Sequence, residues 1–157
     1  EMRGEDMVNT QQFFAVTYRA EYGTTSANNV NHWEQLYALI NQANVFINGV
    51  RQAGASGVIT AAQAAAYEGE ARILRALSHH ELLIHFSLPF ADGNGSKPGV
   101  PYRENPINSS SSVADGLAQG RGTVAQTYAK ILEDLDFAEQ NLPEKVIEKI
   151  YSEFKLL

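Results

Sequence analysis

The sequence Tyr67–Pro89, YEGEARILRALSHHELLIHFSLP, decides the fold of this chain, because it predicts one long helix ended by a proline. Just upstream, Thr60-Ala61-Ala62-Gln63 fits a capping box, in which the threonine hydroxyl accepts a backbone N–H and the glutamine side chain reaches back. Pro89 cannot donate a backbone hydrogen bond, so it closes the element. A recurring apolar stripe predicts the face turned to the core: Tyr67, Ala71, Leu74, Leu77 and onward to Phe86.

Other stretches show the same helical period. A first predicted helix begins at an N-cap on Asn31 and stops at the glycines and serine of residues 54–57. Its apolar stripe is Trp33, Leu36, Ile40, Ala43 and Ile47. Another begins at a second capping box, Thr123–Gln126, and ends at Pro143; its stripe is Val124, Tyr128, Ile131, Leu135, Ala138 and Leu142. The tail predicts a short terminal helix with Val146, Ile150, Phe154 and Leu157 on one face.

Between the second and third predicted helices lies a long connection, Ala91–Gly122, rich in Gly, Pro, Asn and Ser. Loops of this length inside a domain are uncommon and often functional. We expect the serine run Ser109–Ser112 to be its most flexible part. No strand is predicted, so the fold class is all-α: helix pairs with long irregular loops. Trp33 and Tyr67 are 34 positions apart, the length of a tetratricopeptide repeat, which favours tetratricopeptide-like helix pairs.

Composition narrows the class of function. The 157 residues are 44% hydrophobic and 19% charged, as in a folded globular domain, and we expect one domain over residues 1–157. The net charge of −6 with no basic block argues against nucleic acid as a partner. There is no cysteine, so disulfides and thiol chemistry are excluded. No apolar run is long enough to span a bilayer, and the first ten residues do not have the pattern of a signal peptide.

Two motifs resemble metal sites, but neither has the required spacing. In His79-His80-Glu81-Leu82-Leu83-Ile84-His85, His80 and His85 are five apart, whereas a zincin places its histidines four apart on one helical face. We interpret the cluster as a polar edge of a packed helix, with Glu81 and His85 able to pair. Asp92-Gly93-Asn94-Gly95 lacks the later ligands of a calcium loop and predicts a turn. We therefore expect no metal site.

The helix carboxylates Glu68, Glu70, Asp134, Asp136 and Glu139 could in principle provide a pair for acid–base work on a glycosidic bond. Solvated helix faces and arginine partners explain them better. We expect no catalytic residue and no cofactor.

Aromatic and polar side chains near the N-terminus have the chemistry of a sugar site. Flat rings stack on sugar faces, and planar polar groups bind hydroxyls. On this basis Tyr18, Arg19, Tyr22 and Asn28 are the candidate ligand-binding residues. Trp33 and Tyr37 are also aromatic, but they lie on the predicted helix stripe and are better explained as core.

Four segments, in order, resemble the SusD/RagB family. They are Trp33–Asn44; Gly69-Glu70-Ala71-Arg72-Ile73-Leu74-Arg75-Ala76-Leu77; Leu88-Pro89-Phe90 followed by Gly99-Val100-Pro101-Tyr102; and the pattern from Arg121 to Pro143 that includes Asp134-Leu135. Together they cover residues 30–143.

The resemblance implies an all-α core of tetratricopeptide-like helix pairs, and a non-catalytic glycan-binding lipoprotein at the surface of the outer membrane. It also implies two partners, an oligosaccharide and a SusC-like TonB-dependent transporter, and contact with the membrane only through a lipid anchor absent from this chain. Family members are several times longer, so we expect this chain to be an N-terminal fragment.

Two alternatives stay open at this point. A tetratricopeptide-like scaffold that binds only protein would follow from the 34-residue offset. A hydrolase would use the helix carboxylates, with Glu70 and Asp134 as its first candidates.

Overall fold

Helices dominate the computed structural model, which describes residues 8, 10, 15–19, 21 and 23–143; the structural statements below concern these residues. They form α1 (Ala15–Tyr18), α2 (Ala27–Ala55), α3 (Ala61–Phe86), α4 (Ser110–Ala118) and α5 (Val124–Asn141). In this described part, extended pairing is limited to an isolated bridge between Pro98 and Thr123. The all-α fold class is therefore confirmed. The predicted terminal helix, with Val146, Ile150, Phe154 and Leu157, lies outside the described residues.

Both predicted capping boxes are present. The Thr60 hydroxyl accepts the Gln63 N–H at 3.2 Å, while the Gln63 side chain accepts the Thr60 N–H at 3.0 Å. Thr123 and Gln126 exchange the same two bonds at the start of α5. These reciprocal bonds satisfy backbone donors that the first turn of a helix leaves without a partner.

Replacing Thr60 by alanine tests the first capping box. We expect Thr60→Ala to lower the free energy of unfolding by about 1 kcal/mol, because the Gln63 N–H loses its acceptor. Urea denaturation followed by circular dichroism measures the change. Thr60→Ser keeps the hydroxyl and should stay close to the parent protein; equal losses in both variants would contradict the capping role.

A third capping box was not predicted, and it corrects the expectation of a flexible serine run. The Ser109 hydroxyl accepts the Ser112 N–H at 3.2 Å and the Ser112 hydroxyl accepts the Ser109 N–H at 2.9 Å. This exchange starts α4, so part of the long connection is helical. Serine disfavours helix interiors but is among the best residues at an N-cap, which explains why composition alone was misleading.

The bounds of α2 also differ from the prediction. The Ser26 carbonyl accepts the N–H groups of Asn29 and Val30, so the helix begins at Ala27 and the predicted N-cap Asn31 lies inside it. Its end agrees with the prediction: α2 stops at Ala55, and Gly57 follows with a φ of 75°, a conformation that glycine adopts without strain.

The buried face of α3 is rotated away from the predicted apolar stripe. Tyr67, Leu74 and Leu77 are 42%, 47% and 55% exposed. Ala71 is buried as predicted, but the other buried residues of α3 lie off the stripe and most are small or polar: Glu68, Gly69, Arg75, Ala76, Ser78, His79, Leu82 and Leu83. In α5 the predicted stripe is confirmed at Val124, Ile131 and Ala138, which are buried, whereas Leu135 is exposed. Thr127 and Asp134 are buried beside them. The charged members of these buried faces, Glu68, Arg75 and Asp134, can be buried because each is paired with an opposite charge, as described below.

The chain divides into two units, Glu1–Tyr37 and Ala38–Leu157. In the first, the rings of Trp33 and Tyr37 lie 4.8 Å apart between centroids and are half-buried. In the second, α3 packs along α5, and the second half of α2 reaches α3 through side-chain hydrogen bonds. Its core contains fully or nearly fully buried apolar side chains: Ile40, Ile47, Leu82, Val100, Val124 and Ile131.

Candidate functional site

A buried ion pair links α3 to α5 at the centre of the second unit. Arg75 donates from Nε to Asp134 Oδ2 at 2.8 Å and from Nη2 to Asp134 Oδ1 at 2.6 Å. Arg75 is 3% and Asp134 2% exposed. A two-point contact between a guanidinium and a carboxylate is the strongest form of such a pair. In a buried pair this geometry decides whether the attraction offsets the cost of removing both charges from water.

Two neutral side chains form further hydrogen bonds to this ion pair. The Tyr102 hydroxyl donates to Asp134 Oδ2 at 2.5 Å, and Asn44 Oδ1 accepts from Arg75 Nη1 at 2.7 Å. Burial raises the pKa of Tyr102, and the bond to Asp134 raises it further, so the hydroxyl stays protonated as a donor. Charges buried to this degree are tolerated only when their remaining donors and acceptors are also paired.

His79 is fully buried in the same cluster. Its Nε2 accepts the Arg103 N–H at 3.1 Å, so the ring proton lies on Nδ1 and is donated to the Arg75 carbonyl at 2.9 Å. The ring stacks on Tyr102 with centroids 3.8 Å apart. Burial, together with the nearby positive charge of Arg75, lowers the pKa of His79 to about 4, so the imidazole is neutral at physiological pH.

A second group of charges extends the network along α3. Glu68 accepts hydrogen bonds from Arg51 on α2 at 2.6 and 2.8 Å and from Arg72 at 2.8 Å. Arg72 also reaches Asp134 at 3.2 Å, and its guanidinium lies 4.0 Å from the centroid of the Phe137 ring. Burial favours the protonated form of Glu68, but the two arginines outweigh it and lower the pKa of its carboxyl.

The network also holds the loop segment 102–107. Asn44 Nδ2 donates to the Arg103 carbonyl at 2.9 Å. The Asn41 amide forms a two-way bond with Ile107: its Oδ1 accepts the Ile107 N–H at 2.7 Å and its Nδ2 donates to the Ile107 carbonyl at 3.2 Å. With the His79 bond to Arg103, both ends of this segment are fixed to α2 and α3.

A cavity of 310 Å³ opens between this segment and α4. We call it the loop–α4 cavity; its lining residues are Tyr102, Arg103, Glu104, Asn105, Pro106, Ile107, Ser112, Asp115, Gly116 and Gln119. The helix can approach closely because position 116 is glycine: an added Cβ would lie 2.9 Å from Ile107 Cδ1. Gln119 donates to the Tyr102 carbonyl at 2.5 Å and joins the end of α4 to the segment. No sequence motif indicated this cavity, although it lies within the connection Ala91–Gly122, which was expected to be functional.

The buried carboxylates are poorly suited to acid–base chemistry. Arg51 and Arg72 lower the pKa of Glu68, whereas a general acid in glycoside hydrolysis needs a raised pKa. Both oxygens of Asp134 are occupied by hydrogen bonds from Arg75. Of the carboxylates considered from sequence, Glu70, Asp136 and Glu139 lie on exposed helix faces. The expectation of arginine partners is therefore correct for Glu68 and Asp134, but the expectation of a solvated face is wrong for these two.

The histidine cluster and the turn have ordinary structural roles. His79 lies in the core and is not part of a polar edge, so that interpretation is wrong for this residue. Glu81 and His85 do pair, with 3.5 Å between Oε2 and Nε2. Residues 92–95 form the predicted turn, in which Gly93, Asn94 and Gly95 all have positive φ.

The candidate ligand-binding residues are placed in the first unit, apart from Tyr22, which lies outside the described residues. Tyr18 ends α1 and is 38% exposed. Arg19 follows it in a turn closed by the bond from its N–H to the Ala15 carbonyl. Asn28 lies in the first turn of α2 and is exposed. The assignment of these residues to a sugar site stays a prediction.

Comparison with known proteins gives the family. A family model described as SusD-like, starch-binding and associating with the outer membrane matches residues 1–155. No curated protein matches the sequence significantly.

Two solved structures are similar to this chain. A protein of Bacteroides vulgatus, described as sugar binding, shares 22% identity with a TM-score of 0.72 over 91% of this chain. A SusD superfamily protein of Bacteroides thetaiotaomicron shares 27% identity with a TM-score of 0.57 over 71% of the chain. The matched parts are 31% and 23% of those two proteins, so this chain spans less than a third of either.

These matches confirm the SusD-like resemblance and the tetratricopeptide-like helical fold predicted from sequence. The family is carbohydrate-binding and non-catalytic. No helix in the described part of the chain is long and apolar enough to cross a membrane. The chain belongs to the SusD-like family of starch-binding proteins that associate with the outer membrane.

Proposed function

We propose that the intact protein captures an oligosaccharide without breaking it and passes it to a TonB-dependent transporter of the outer membrane. The observation that carries this proposal is the family match over residues 1–155. The non-catalytic part of the proposal agrees with the charge arrangement, because Asp134 and Glu68 are occupied as ion-pair partners that hold the helices together.

The proposal includes the protein's location. We propose a surface-exposed lipoprotein, held at the membrane by a lipid anchor, with a SusC-like transporter as its partner. The family's described association with the outer membrane supports this location. Co-purification of the intact protein from detergent-solubilised outer membranes tests the partnership: a TonB-dependent transporter should be recovered in stoichiometric amount.

Glycan binding is tested with the intact protein on an array of neutral and acidic oligosaccharides, followed by chromatography of the sugar after long incubation. We expect binding with no shortening of the sugar. Absence of binding to every glycan would contradict the proposed function, and shorter products would contradict its non-catalytic nature.

We further propose that Tyr18, Arg19, Tyr22 and Asn28 contact the glycan. Tyr18→Ala should weaken glycan binding about threefold to tenfold, because one stacked ring contributes roughly 0.5–1.5 kcal/mol. Tyr67→Ala is a matched control, since Tyr67 is a similarly exposed tyrosine, at 42% against 38%. Equal affinities of both variants and the parent protein would remove Tyr18 from the site.

A scaffold that binds only protein is the second candidate. It is favoured by the apolar side chains exposed on α3, of which Leu77 and Ile84 are each 55% exposed. A pull-down that recovers a protein partner, from a chain that binds no sugar on the array, would support this alternative.

A further inference from the structure

We propose that the loop–α4 cavity is a subsite for the end of a neutral glycan; this inference rests on the proposed function. Its volume of 310 Å³ is at the lower end of the roughly 300–1,000 Å³ typical of small-molecule sites. A cavity of this size accommodates a short end of an oligosaccharide.

The lining has the chemistry that a sugar requires. Asn105 and Asp115 carry planar polar groups, and such groups form two hydrogen bonds to neighbouring hydroxyls. Pro106 and Ile107 add apolar surface, which the C–H faces of a sugar ring contact. A few polar groups set among apolar ones, converging on one concave space, are typical of a small-molecule site.

The charges of the lining select against acidic glycans. The lining contains the carboxylates of Glu104 and Asp115 and the guanidinium of Arg103. Lys130 offsets the charge of Glu104, because its Nζ lies 3.5 Å from Glu104 Oε2, so the like charge that an acidic sugar meets here is that of Asp115. A uronate or sulfate group in this space would meet like charges, which lowers affinity when the charges are partly removed from water. A neutral sugar avoids this repulsion and uses the same carboxylates as hydrogen-bond acceptors.

The inner wall of the cavity is held in place by hydrogen bonds within the protein, without a ligand. Its segment 102–107 is tied to α2 by the Asn41 and Asn44 amides and to α3 by His79. Gln119 ties the end of α4 to the same segment. A wall already held in one conformation loses little entropy on binding, so even a small contact area contributes to affinity.

The test is calorimetric titration of the intact protein with maltoheptaose, a neutral glucan, and with an oligogalacturonate of similar length. Asp115→Ala removes a charged acceptor from the cavity, and we expect it to weaken maltoheptaose binding about tenfold. Asn105→Ala should also weaken it, and the double variant should lose more than either. Asp136→Ala is the matched control, because Asp136 is an exposed helix carboxylate outside the cavity lining. Circular dichroism confirms that each variant is folded.

The outcomes separate this inference from the proposed function. Weaker binding in the Asp115 and Asn105 variants, with Asp136→Ala unchanged, supports the subsite. Unchanged affinity in both cavity variants, while the parent protein still binds maltoheptaose, overturns the subsite and leaves the proposed function standing. Tighter binding of oligogalacturonate that depends on Asp115 or Asn105 overturns the neutral class. If the parent protein binds neither sugar and fails on the glycan array, the proposed function falls and the subsite with it.

Discussion

Asp134→Ala is expected to lower the free energy of unfolding by about 3–5 kcal/mol, the largest loss from any one side chain of the network. The substitution leaves the Arg75 guanidinium buried without its carboxylate, at 3% exposure. It also removes the acceptor of the Tyr102 hydroxyl. Both groups would stay desolvated and unpaired, which is the most unfavourable arrangement for a polar side chain in a core. Urea denaturation monitored by circular dichroism measures the loss.

Two further variants separate the ion pair from general effects of mutating α5. Asp136→Ala alters an exposed carboxylate two residues further on and should change stability by no more than about 0.5 kcal/mol. The double variant Arg75→Met with Asp134→Leu replaces both charges by apolar groups and should recover part of the loss, because the Arg75 charge is no longer left unpaired. The rest of the loss should remain, because the Tyr102 hydroxyl and Asn44 Oδ1 still lack these partners. A loss below about 1 kcal/mol in Asp134→Ala would contradict the role given to this pair.

Acid should destabilise the fold through His79. Its pKa in the folded protein, about 4, is below the ordinary value of 6.5, so the unfolded chain binds the proton first. The contribution of the neutral imidazole is therefore complete above about pH 6.5 and is lost as the pH falls towards 4. Between these limits the free energy of unfolding should decrease by about 3 kcal/mol, from the roughly 1.4 kcal/mol that accompanies each pKa unit.

The measurement is a series of urea denaturation curves between pH 7.5 and 4, run on the parent protein and on two histidine variants. His79→Gln should be less stable at neutral pH but should lose most of the slope in this window. His85→Gln, at a partly exposed site, should keep it. Glu68 acts in the same direction at lower pH, because its folded pKa is lowered and its stabilising charge is lost on protonation. An unchanged slope in His79→Gln would remove His79 as the titrating group.

The parts of the fold that follow from local chemistry were predictable from sequence. Capping boxes at Thr60 and Thr123 are local interactions over three residues, and both starts of the long helices agree with them. Pro89 and Pro143 follow the ends of α3 and α5 as expected. The helix α4 was missed because its signal, a serine cap within a serine run, has the same composition as a flexible linker.

The buried network could not be predicted because its members are far apart in sequence. Arg75 and Asp134 are 59 positions apart, and Tyr102 lies between them in a loop. A periodicity argument assigns hydrophobic residues to the core, so it chose Leu74 and Leu77 where the structure buries Arg75, Ser78 and His79. That face of α3 can be buried only because Arg75 is paired with Asp134. A local sequence pattern does not reveal a pair of residues that are so far apart in the chain.

This arrangement suggests why the core carries charge. Paired buried ions often stabilise a fold no better than apolar residues of the same size, but they fix one geometry. Here the bonds of Asn44, His79 and Tyr102 give the segment 102–107 a single position against α2 and α3. The positioned segment is one wall of the loop–α4 cavity. Scaffold and candidate glycan subsite are in this way parts of the same hydrogen-bond network.

A crystal structure of the intact protein grown with maltoheptaose tests the central claim most directly, that a neutral glycan is held without being broken. We predict an unshortened glucan with one end in the loop–α4 cavity, within hydrogen-bond distance of Asp115 and Asn105, and with the Arg75–Asp134 pair unchanged. A shortened sugar, or an ordered glucan that leaves the cavity empty, would contradict it.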